Sequence, residues 1–330
     1  MSGTPGLQDV AFEPDGVAGL LAELPPRAGV AQLLDASGNS LLIGQPANLR
    51  RWAAAQLGGA APRRRASRRP RIDLRPVARA LRFRITAFAF EQRLAYERLM
   101  ALHVPLTKRR DLRVPGWLRL DLAARFPRVD AVSFGGEPTH VFGPFRDRKA
   151  AAVARDALHK ELPLRPCDYA FEPDPGLALG LNCLYAQVRS CAAPCLARVS
   201  EEGYRALAEA ARDLLSSGVD RALAWRPAWV SRASGDRALI AERGRSEIAL
   251  FPVRDGFVLD AASTLATPES LEESIGTLAW PLPTTDSGDW PWLSAWLHAP
   301  RRKGVYLVVR EGEPAAQVAR RLRRELEPPA

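Results

Sequence analysis

The sequence predicts an α+β fold: a small mixed sheet with helices, then a helical four-cysteine module, then a small α+β domain. The chain has 330 residues, 47% of them apolar, which is enough to bury the cores of two or three domains. Paired apolar runs with turn-forming residues between them alternate with stretches of helical spacing. All four cysteines fall within residues 167–195. We therefore predict domains over residues 1–130, 131–217 and 218–330.

The first predicted elements are a hairpin and two helices. Over residues 25–44 the apolar runs GVAQLLD and SLLIG flank the turn-forming sequence ASGN, which predicts a β-hairpin. Asn48 or Pro46 opens a helix through LRRWAAAQL. Apolar residues recur near a spacing of 3.6 over residues 87–102, which predicts a second helix.

In the central part, VSFGGEPTHVFGPF at residues 132–145 predicts two strands joined through a Gly-Gly turn. Asp147 is the expected N-cap of a helix through RKAAAVARDALHKEL. Ser200 is the expected N-cap of EEGYRALAEAARDLLSS, whose acidic first turn suits the helix dipole. The cysteine segment lies between these two helices.

The character of the sequence changes after Gly218. IALFPVRDGFVLDAAS predicts a hairpin with Asp-Gly at its turn, GVYLVVREG predicts a strand, and EPAAQVARRLRREL predicts a closing helix. Residues 219–330 also hold six of the eight tryptophans. These tryptophans suit either the contact surface of a protein–protein adaptor or a domain core, and we favour the core because aromatic residues dominate cores as well.

The net charge of +10 predicts a polyanionic partner, and we expect DNA. Residues 63–84 carry ten arginines and one aspartate, although a solvated arginine-rich surface would also explain this run. The candidate nucleic-acid-binding residues are Arg50, Arg63, Arg64, Arg65, Arg68, Arg69 and Arg71. No apolar run approaches the ~18 residues of a membrane helix, and the N-terminus lacks the basic region of a signal peptide, so we expect no membrane contact and a cytoplasmic location.

The four cysteines are spaced C-x15-C-x7-C-x3-C, at Cys167, Cys183, Cys191 and Cys195. Four thiolates suit a tetrahedral zinc site or an iron–sulfur cluster. The x7 and x3 spacings differ from the C-x2-C pairs of zinc knuckles, which favours the cluster. Zinc, unmetallated thiols and disulfides stay open as alternatives, although a reducing cytosol disfavours disulfides.

The surroundings of the cysteines resemble a known family. FGPF, the helix after it, LPLRPC, the C-x7-C-x3-C pattern and SEEGYRAL follow one another over residues 140–215. This order is similar to UvrC, the nuclease subunit of bacterial nucleotide excision repair, and to its shorter Cho relatives. The resemblance implies an iron–sulfur cluster of the 4Fe–4S type on the four cysteines. Arg189 and Pro194 also match positions of the family pattern. It also implies DNA and other excision-repair proteins as partners.

A fainter resemblance lies upstream. LPPRAGVAQLLDASGNSLLIGQPANLRRW is similar to the start of a GIY-YIG nuclease domain, with Gly29 and Gly44 on its structural glycines and Asn48, Leu49 and Arg50 on its helix opening. The catalytic positions differ. Ala31 and Leu42 replace two tyrosines, Gln45 replaces a lysine, and Trp52 replaces an arginine.

Within AYERLMALHVPLTKRR, Glu97 falls on the family's metal-binding acid and Lys108 on its asparagine. A site without phenol or lysine lacks the groups that activate water and stabilise phosphate charge, so the resemblance implies a degenerate nuclease. A divalent cation is expected only if the site is active. Two alternatives stay open: an active Cho-like endonuclease with a displaced phenol from Tyr96 or Tyr169, and a Glu97 that simply faces solvent on its helix.

Overall fold

A computed structural model of the protein describes residues 7–58, 73–105, 108–109, 111–133, 141–177, 183–217, 230–231, 237–282, 288–300 and 302–327. The chain forms two compact units, residues 1–110 and 111–330. Helices and small sheets occur in both units, so the predicted α+β class is confirmed. The three-domain division stays a prediction. No helix in the described ranges is long and apolar enough to cross a membrane.

The first unit is built on a four-stranded sheet in the order β1-β4-β2-β3. Its elements are β1 (Gln8–Ala11), α1 (Val17–Glu23), β2 (Gly29–Leu34), β3 (Ser40–Gly44), α2 (Leu49–Leu57), β4 (Ala80–Ile85) and α3 (Ala89–His103). The predicted hairpin and both predicted helices are confirmed. Asn48 caps α2, since its side chain accepts a hydrogen bond from the backbone N–H of Arg51 at 2.9 Å.

The expectation of a mixed sheet in this unit is wrong, because every pairing between its described strands is antiparallel. The helix α2 carries the chain across so that β4 pairs with β2 on the side opposite β3. The strand β4 is not among the elements predicted from sequence, because its arginines continue the charge run of residues 63–84. In fact Leu81 and Phe83 of β4 alternate with arginines and enter the core, which is the period-two pattern of a strand.

Alternate residues of β2 face opposite sides of the sheet. Ala31 and Leu33 pack with Leu49 and Ala53 of α2, whereas Val30 packs with Leu99 of α3. The first unit therefore has helices on both faces of its sheet, and α3 is the helix that carries Glu97.

The second unit contains two sheets, in the orders β6-β5-β7-β8 and β11-β10-β9-β13, with β12 paired to β10. Its elements are β5 (Gly116–Leu120), β6 (Val129–Ser133), β7 (Val141–Phe145), α4 (Arg148–Glu161), α5 (Leu184–Gln187), α6 (Glu201–Ser217), β8 (Val230–Ser231), β9 (Arg237–Arg243), β10 (Ile248–Arg254), β11 (Phe257–Val258), β12 (Thr264–Ala266), α7 (Leu271–Gly276), α8 (Trp290–Leu297), β13 (Val305–Val309) and α9 (Ala315–Leu326). The predicted helices α4, α6 and α9 and the hairpin β10–β11 are confirmed.

The cysteine segment lies between α4 and α6, which share one core with β5, β6 and β7. Asp147 caps α4 by accepting from the N–H of Ala150 at 2.9 Å, and Ser200 caps α6 by accepting from that of Gly203 at 3.0 Å. The prediction of a helical cysteine module needs correction. Among its described residues, the segment between these helices holds only the four-residue α5 and one 3-10 turn. Its prolines, such as Pro163 and Pro166, remove helical N–H donors.

The tryptophans of α8 belong to a core, as favoured from sequence. Trp290 and Trp292 are buried, and the Trp290 ring meets Trp117 of β5 edge-to-face at 5.2 Å. The hydroxyl of Ser294 donates to the carbonyl oxygen of Phe145 at 3.3 Å. Trp290 and Trp292 are therefore core residues, and the adaptor surface stays an alternative for Trp280 and Trp296, which are half-buried.

Candidate functional site

The four cysteines occupy four different local structures in the second unit. Cys167 lies in the extended stretch after α4, and Cys183 precedes the first residue of α5. Cys191 lies in the bend that follows α5, and Cys195 lies within the 3-10 turn Pro194–Leu196. Cys195 is buried and the other three are half-buried, and none of the four forms a disulfide.

The thiols lie within electrostatic reach of one another. Burial raises the pKa of the Cys191 thiol to about 11, and the charges of Cys167, Cys195 and Cys183 raise it further. The pKa of Cys195 is also raised, first by burial and then by Cys183 and Cys167. Without a cation beside them the Cys191 and Cys195 thiols therefore hold their protons at neutral pH, and a metal that binds there must displace those protons.

The donor set suits a thiolate-bound metal, but the positions of the donors are not those of a closed coordination sphere. Within the described ranges, no three His, Cys, Asp or Glu side chains are grouped closely enough to hold a metal ion. The N–H of Ala193 donates to the Cys191 sulfur at 3.3 Å, a bond that favours a negatively charged sulfur. Four soft donors match iron–sulfur clusters and structural zinc.

The backbone around these thiols has an unusual conformation. Arg189, Ala193 and Ala197 are non-glycine residues with φ of 55°, 52° and 51°. Such left-handed residues cost about 1 kcal/mol or more each and are found most often at ligand-binding and active sites. These residues lie before, between and after Cys191 and Cys195 in the chain. Cys195 is part of a small apolar cluster with Ala186, and Cys183 packs against the same cluster.

Tyr204 of α6 ties the cysteine segment to the sheet. Its buried hydroxyl accepts from the backbone N–H of Arg165 at 2.7 Å and donates to the carbonyl of Pro127 at 3.0 Å. Arg165 is two residues before Cys167, so this bond fixes the start of the segment. Burial raises the pKa of Tyr204, which therefore stays a neutral donor at physiological pH.

We expect Tyr204→Phe to lower the free energy of unfolding of the protein by about 1–2 kcal/mol, because the Arg165 N–H and the Pro127 carbonyl each lose a buried partner. Denaturant unfolding followed by circular dichroism measures this loss. Tyr185→Phe is the matched control, since the Tyr185 side chain is about half exposed, and it should change stability by less than about 0.5 kcal/mol. Equal losses in the two variants would contradict the anchoring role.

Glu97 does not face solvent, so that alternative is wrong. Its side chain is 3% exposed and is held by two arginines. Arg109 donates from both terminal nitrogens, at 2.9 Å and 3.2 Å. Arg93, one turn earlier on α3, approaches to 2.5 Å. Both guanidinium groups also lie over the Tyr96 ring, at 5.8 Å and 5.9 Å from its centre. The carboxylate is thus neutralised by protein cations.

The positions around the expected nuclease site are apolar or exposed. Ala31 is fully buried opposite Gly44 in the β2–β3 pairing. Leu42 is half-buried and Gln45 is exposed. A side chain at Gly44 would lie 2.8 Å from the ring of Trp52, so Trp52 covers this part of β3. These residues build a packed surface, with no hydroxyl or cation at the three substituted positions.

The candidate nucleic-acid-binding arginines divide into two groups. The side chain of Arg50 is used within the unit: it donates to the carbonyl of Leu24 at 2.7 Å and to that of Ala22 at 3.2 Å, at the end of α1. The other six lie outside the described residues: Arg63, Arg64, Arg65, Arg68, Arg69 and Arg71. In the described part of the same run, Arg82 pairs with Asp9 at 2.7 Å and Arg84 with Glu91 at 3.0 Å.

Sequence analysis missed the partners of Glu97. Arg93 was detectable, because residues four apart lie on one face of a helix. Arg109 was not, since it lies beyond the end of α3 and reaches Glu97 only through the fold.

The comparison with known proteins identifies a family to which part of the second unit is similar. Residues 116–214 match the sequence model of the family described as "UvrC/Cho excinuclease, middle domain". Residues 116–214 are therefore similar to the UvrC/Cho middle domain. This UvrC-like region contains all four cysteines, Tyr204 and the helices α4 and α6, whereas Glu97 and Arg50 lie before it.

The similarity to UvrC proteins extends beyond the middle domain. The chain is 31% identical over 219 residues to the UvrABC system protein C of Rhodospirillum rubrum, covering 63% of this chain and 32% of that protein. It is 29% identical over 201 residues to that of Trichlorobacter lovleyi, covering 58% and 31% respectively. The chain thus spans about a third of the length of these relatives. No solved structure matches it.

Proposed function

We propose that this UvrC-like protein binds DNA in a process related to nucleotide excision repair and that its first unit is a GIY-YIG-like domain that no longer cuts. The observation that carries the proposal is the state of Glu97. A carboxylate that accepts hydrogen bonds from two guanidinium groups is already neutralised, and those cations repel a divalent metal ion. No phenol or lysine occupies the three substituted positions, Ala31, Leu42 and Gln45, to assist hydrolysis.

The order of elements supports the GIY-YIG-like assignment of the first unit. A hairpin is followed by α2, by a strand that pairs with β2, and by α3, which carries the acid. Gly29 and Gly44 occupy positions where close packing demands glycine: a Cβ on Gly29 would lie 2.2 Å from the Arg84 carbonyl oxygen. The scaffold features of the family pattern are thus present where its catalytic groups are absent.

The proposed cofactor of the middle domain is an iron–sulfur cluster of the 4Fe–4S type on Cys167, Cys183, Cys191 and Cys195, with zinc as the alternative. Bound there, it would supply a cross-link that braces the irregular segment between α4 and α6. The electrostatic interaction among the thiols and the N–H directed at Cys191 support this proposal. The proposed partners are DNA and other excision-repair proteins, since the relatives are named as components of a UvrABC system.

A combined binding and nicking experiment tests the proposal. We expect the full chain to bind duplex DNA with an affinity that falls steeply as salt rises, because Lys and Arg contacts to phosphate release counterions. Supercoiled plasmid with Mg²⁺ or Mn²⁺ should stay intact. Failure to bind duplex DNA at low salt would reject the DNA-binding part. Metal-dependent nicking that is lost in Glu97→Ala would reject the inactive nuclease and favour the Cho-like endonuclease.

A further inference from the structure

A cavity of about 690 Å³ lies in the middle domain, beside the last turn of α4. One wall is formed by Arg155, His159 and Lys160 of α4. The opposite wall comes from the stretch between Cys183 and Cys191 and includes Tyr185 and Arg189. A volume of this size is typical of sites for small molecules such as a nucleotide.

The cavity has an excess of positive charge. Arg155 is paired with Asp156, the one carboxylate of the lining, at 2.7 Å. Lys160 and Arg189 are exposed, and neither forms a salt bridge with a carboxylate in the described part of the chain. An ammonium and a guanidinium on opposite walls are suited to bind a phosphate group between them.

His159 adds an unused polar atom. Its Nε2 is buried and has no hydrogen-bond partner among the described residues. Burial and then the charge of Arg155 lower the pKa of His159, so the ring is neutral at physiological pH. A neutral imidazole nitrogen without a partner can donate to or accept from a bound ligand, and it would otherwise leave a buried polar group unsatisfied.

The rest of the lining is mostly apolar, with Ser190 as a further polar residue. Tyr185 is 47% exposed, although large aromatic side chains are usually buried more deeply. Val188 lies on the same wall, and Pro163 and Pro166 contribute further carbon surface. A free phosphate would use none of this surface, whereas a nucleic-acid base stacks on such aromatic side chains.

We propose that this cavity holds one unstacked nucleotide of a DNA strand, with its phosphate between Lys160 and Arg189 and its base on Tyr185. The inference rests on the DNA binding proposed above and names a site for it. Tyr185 and Arg189 lie between two of the proposed metal ligands, Cys183 and Cys191, in the chain. The arginine run over residues 63–71 is not required for the site.

The test uses the full chain and two probes: a labelled single-stranded oligothymidylate measured by fluorescence anisotropy, and a 5′-phosphorylated dithymidylate measured by calorimetry. The pocket variant is Lys160→Gln with Arg189→Gln. Its matched control is Lys149→Gln with Arg198→Gln, which removes the same charges from exposed positions of the same domain outside the cavity. A third variant, Tyr185→Ala, removes the stacking surface.

We expect the pocket variant to bind the oligonucleotide about tenfold or more weakly and to lower the slope of log affinity against log salt by about 0.7, the contribution of one single-strand phosphate contact. Tyr185→Ala should lower the affinity for the oligonucleotide about tenfold, with little change in the slope of log affinity against log salt. The control should resemble the wild type in dinucleotide binding. Thermal unfolding of each variant checks that the fold is retained.

Each other outcome has a distinct meaning. If the wild type binds duplex DNA but the pocket variant and its control bind both probes equally, the cavity is not a nucleotide site and the DNA-binding proposal stands. If inorganic phosphate competes as well as the dinucleotide and Tyr185→Ala has no effect, the site takes phosphate alone and the nucleotide assignment is wrong. If the dinucleotide binds and duplex DNA does not, the cavity is supported and the DNA-binding proposal fails.

Discussion

Glu97→Gln is expected to lower the free energy of unfolding by about 3–5 kcal/mol, because it leaves the buried guanidinium of Arg109 without a counter-charge. Glutamine has nearly the volume of glutamate, so the expected loss of unfolding free energy measures the removal of the charge and not the formation of a cavity. Arg109 is 3% exposed at its side chain, hence water cannot replace the carboxylate. Urea unfolding of the wild type and the variant, followed by circular dichroism, measures the difference. A metal ligand on an exposed face would instead leave stability nearly unchanged.

Asp9→Asn is the matched control for this prediction. Asp9 and Arg82 form the same two-bond pair, at 2.7 Å and 2.8 Å, in the same unit. The side chain of Asp9 is 52% exposed, so solvent screens the pair and its loss should cost less than about 1 kcal/mol. Similar losses at both sites would contradict the structural role of Glu97. A stable Glu97→Gln that loses metal-dependent nicking would restore the nuclease hypothesis.

The sequence was a good guide to elements defined by local signals. Asn48, Asp147 and Ser200 each predicted the start of a helix correctly, because capping depends on one side chain and a few backbone N–H groups. The strand β5 was missed, and it pairs between β6 and β7. That placement is set by pairing between residues far apart in the chain, which local patterns do not record.

The candidate metal site stays a prediction, whereas the contacts of other candidate residues can be compared with the structure. The cysteine spacing predicts a metal centre, and all four cysteines lie within the region that is similar to the UvrC/Cho middle domain. The burial of Glu97 was not predictable, since a glutamate on a helix is usually exposed. Nor was it predictable that Lys160 and Arg189, which are 29 positions apart in the sequence, line the same cavity.

Loss of any one of the four cysteines is expected to remove the metal centre. We expect the wild type, purified without oxygen, to carry iron and sulfide with visible absorbance, and Cys191→Ser to lose both. The free energy with which a structural metal binds is also folding free energy, on the order of 10 kcal/mol for zinc modules. The variant should therefore unfold several kcal/mol more easily. Iron and sulfide analysis, the absorbance spectrum and thermal unfolding measure these effects.

The pattern across variants separates a metal centre from ordinary buried thiols. Cys167→Ser, Cys183→Ser and Cys195→Ser should each match Cys191→Ser, although Cys195 is buried and Cys167 is not. Ordinary thiols would instead lose stability in proportion to burial. Ser190→Ala, next to Cys191, is the control and should keep the metal.

A colourless protein with one zinc would replace the cluster by the zinc alternative. A folded, metal-free protein with four thiols that react with thiol-modifying reagents would reject both the cluster and the zinc alternative, because metal-bound thiolates are protected from such reagents.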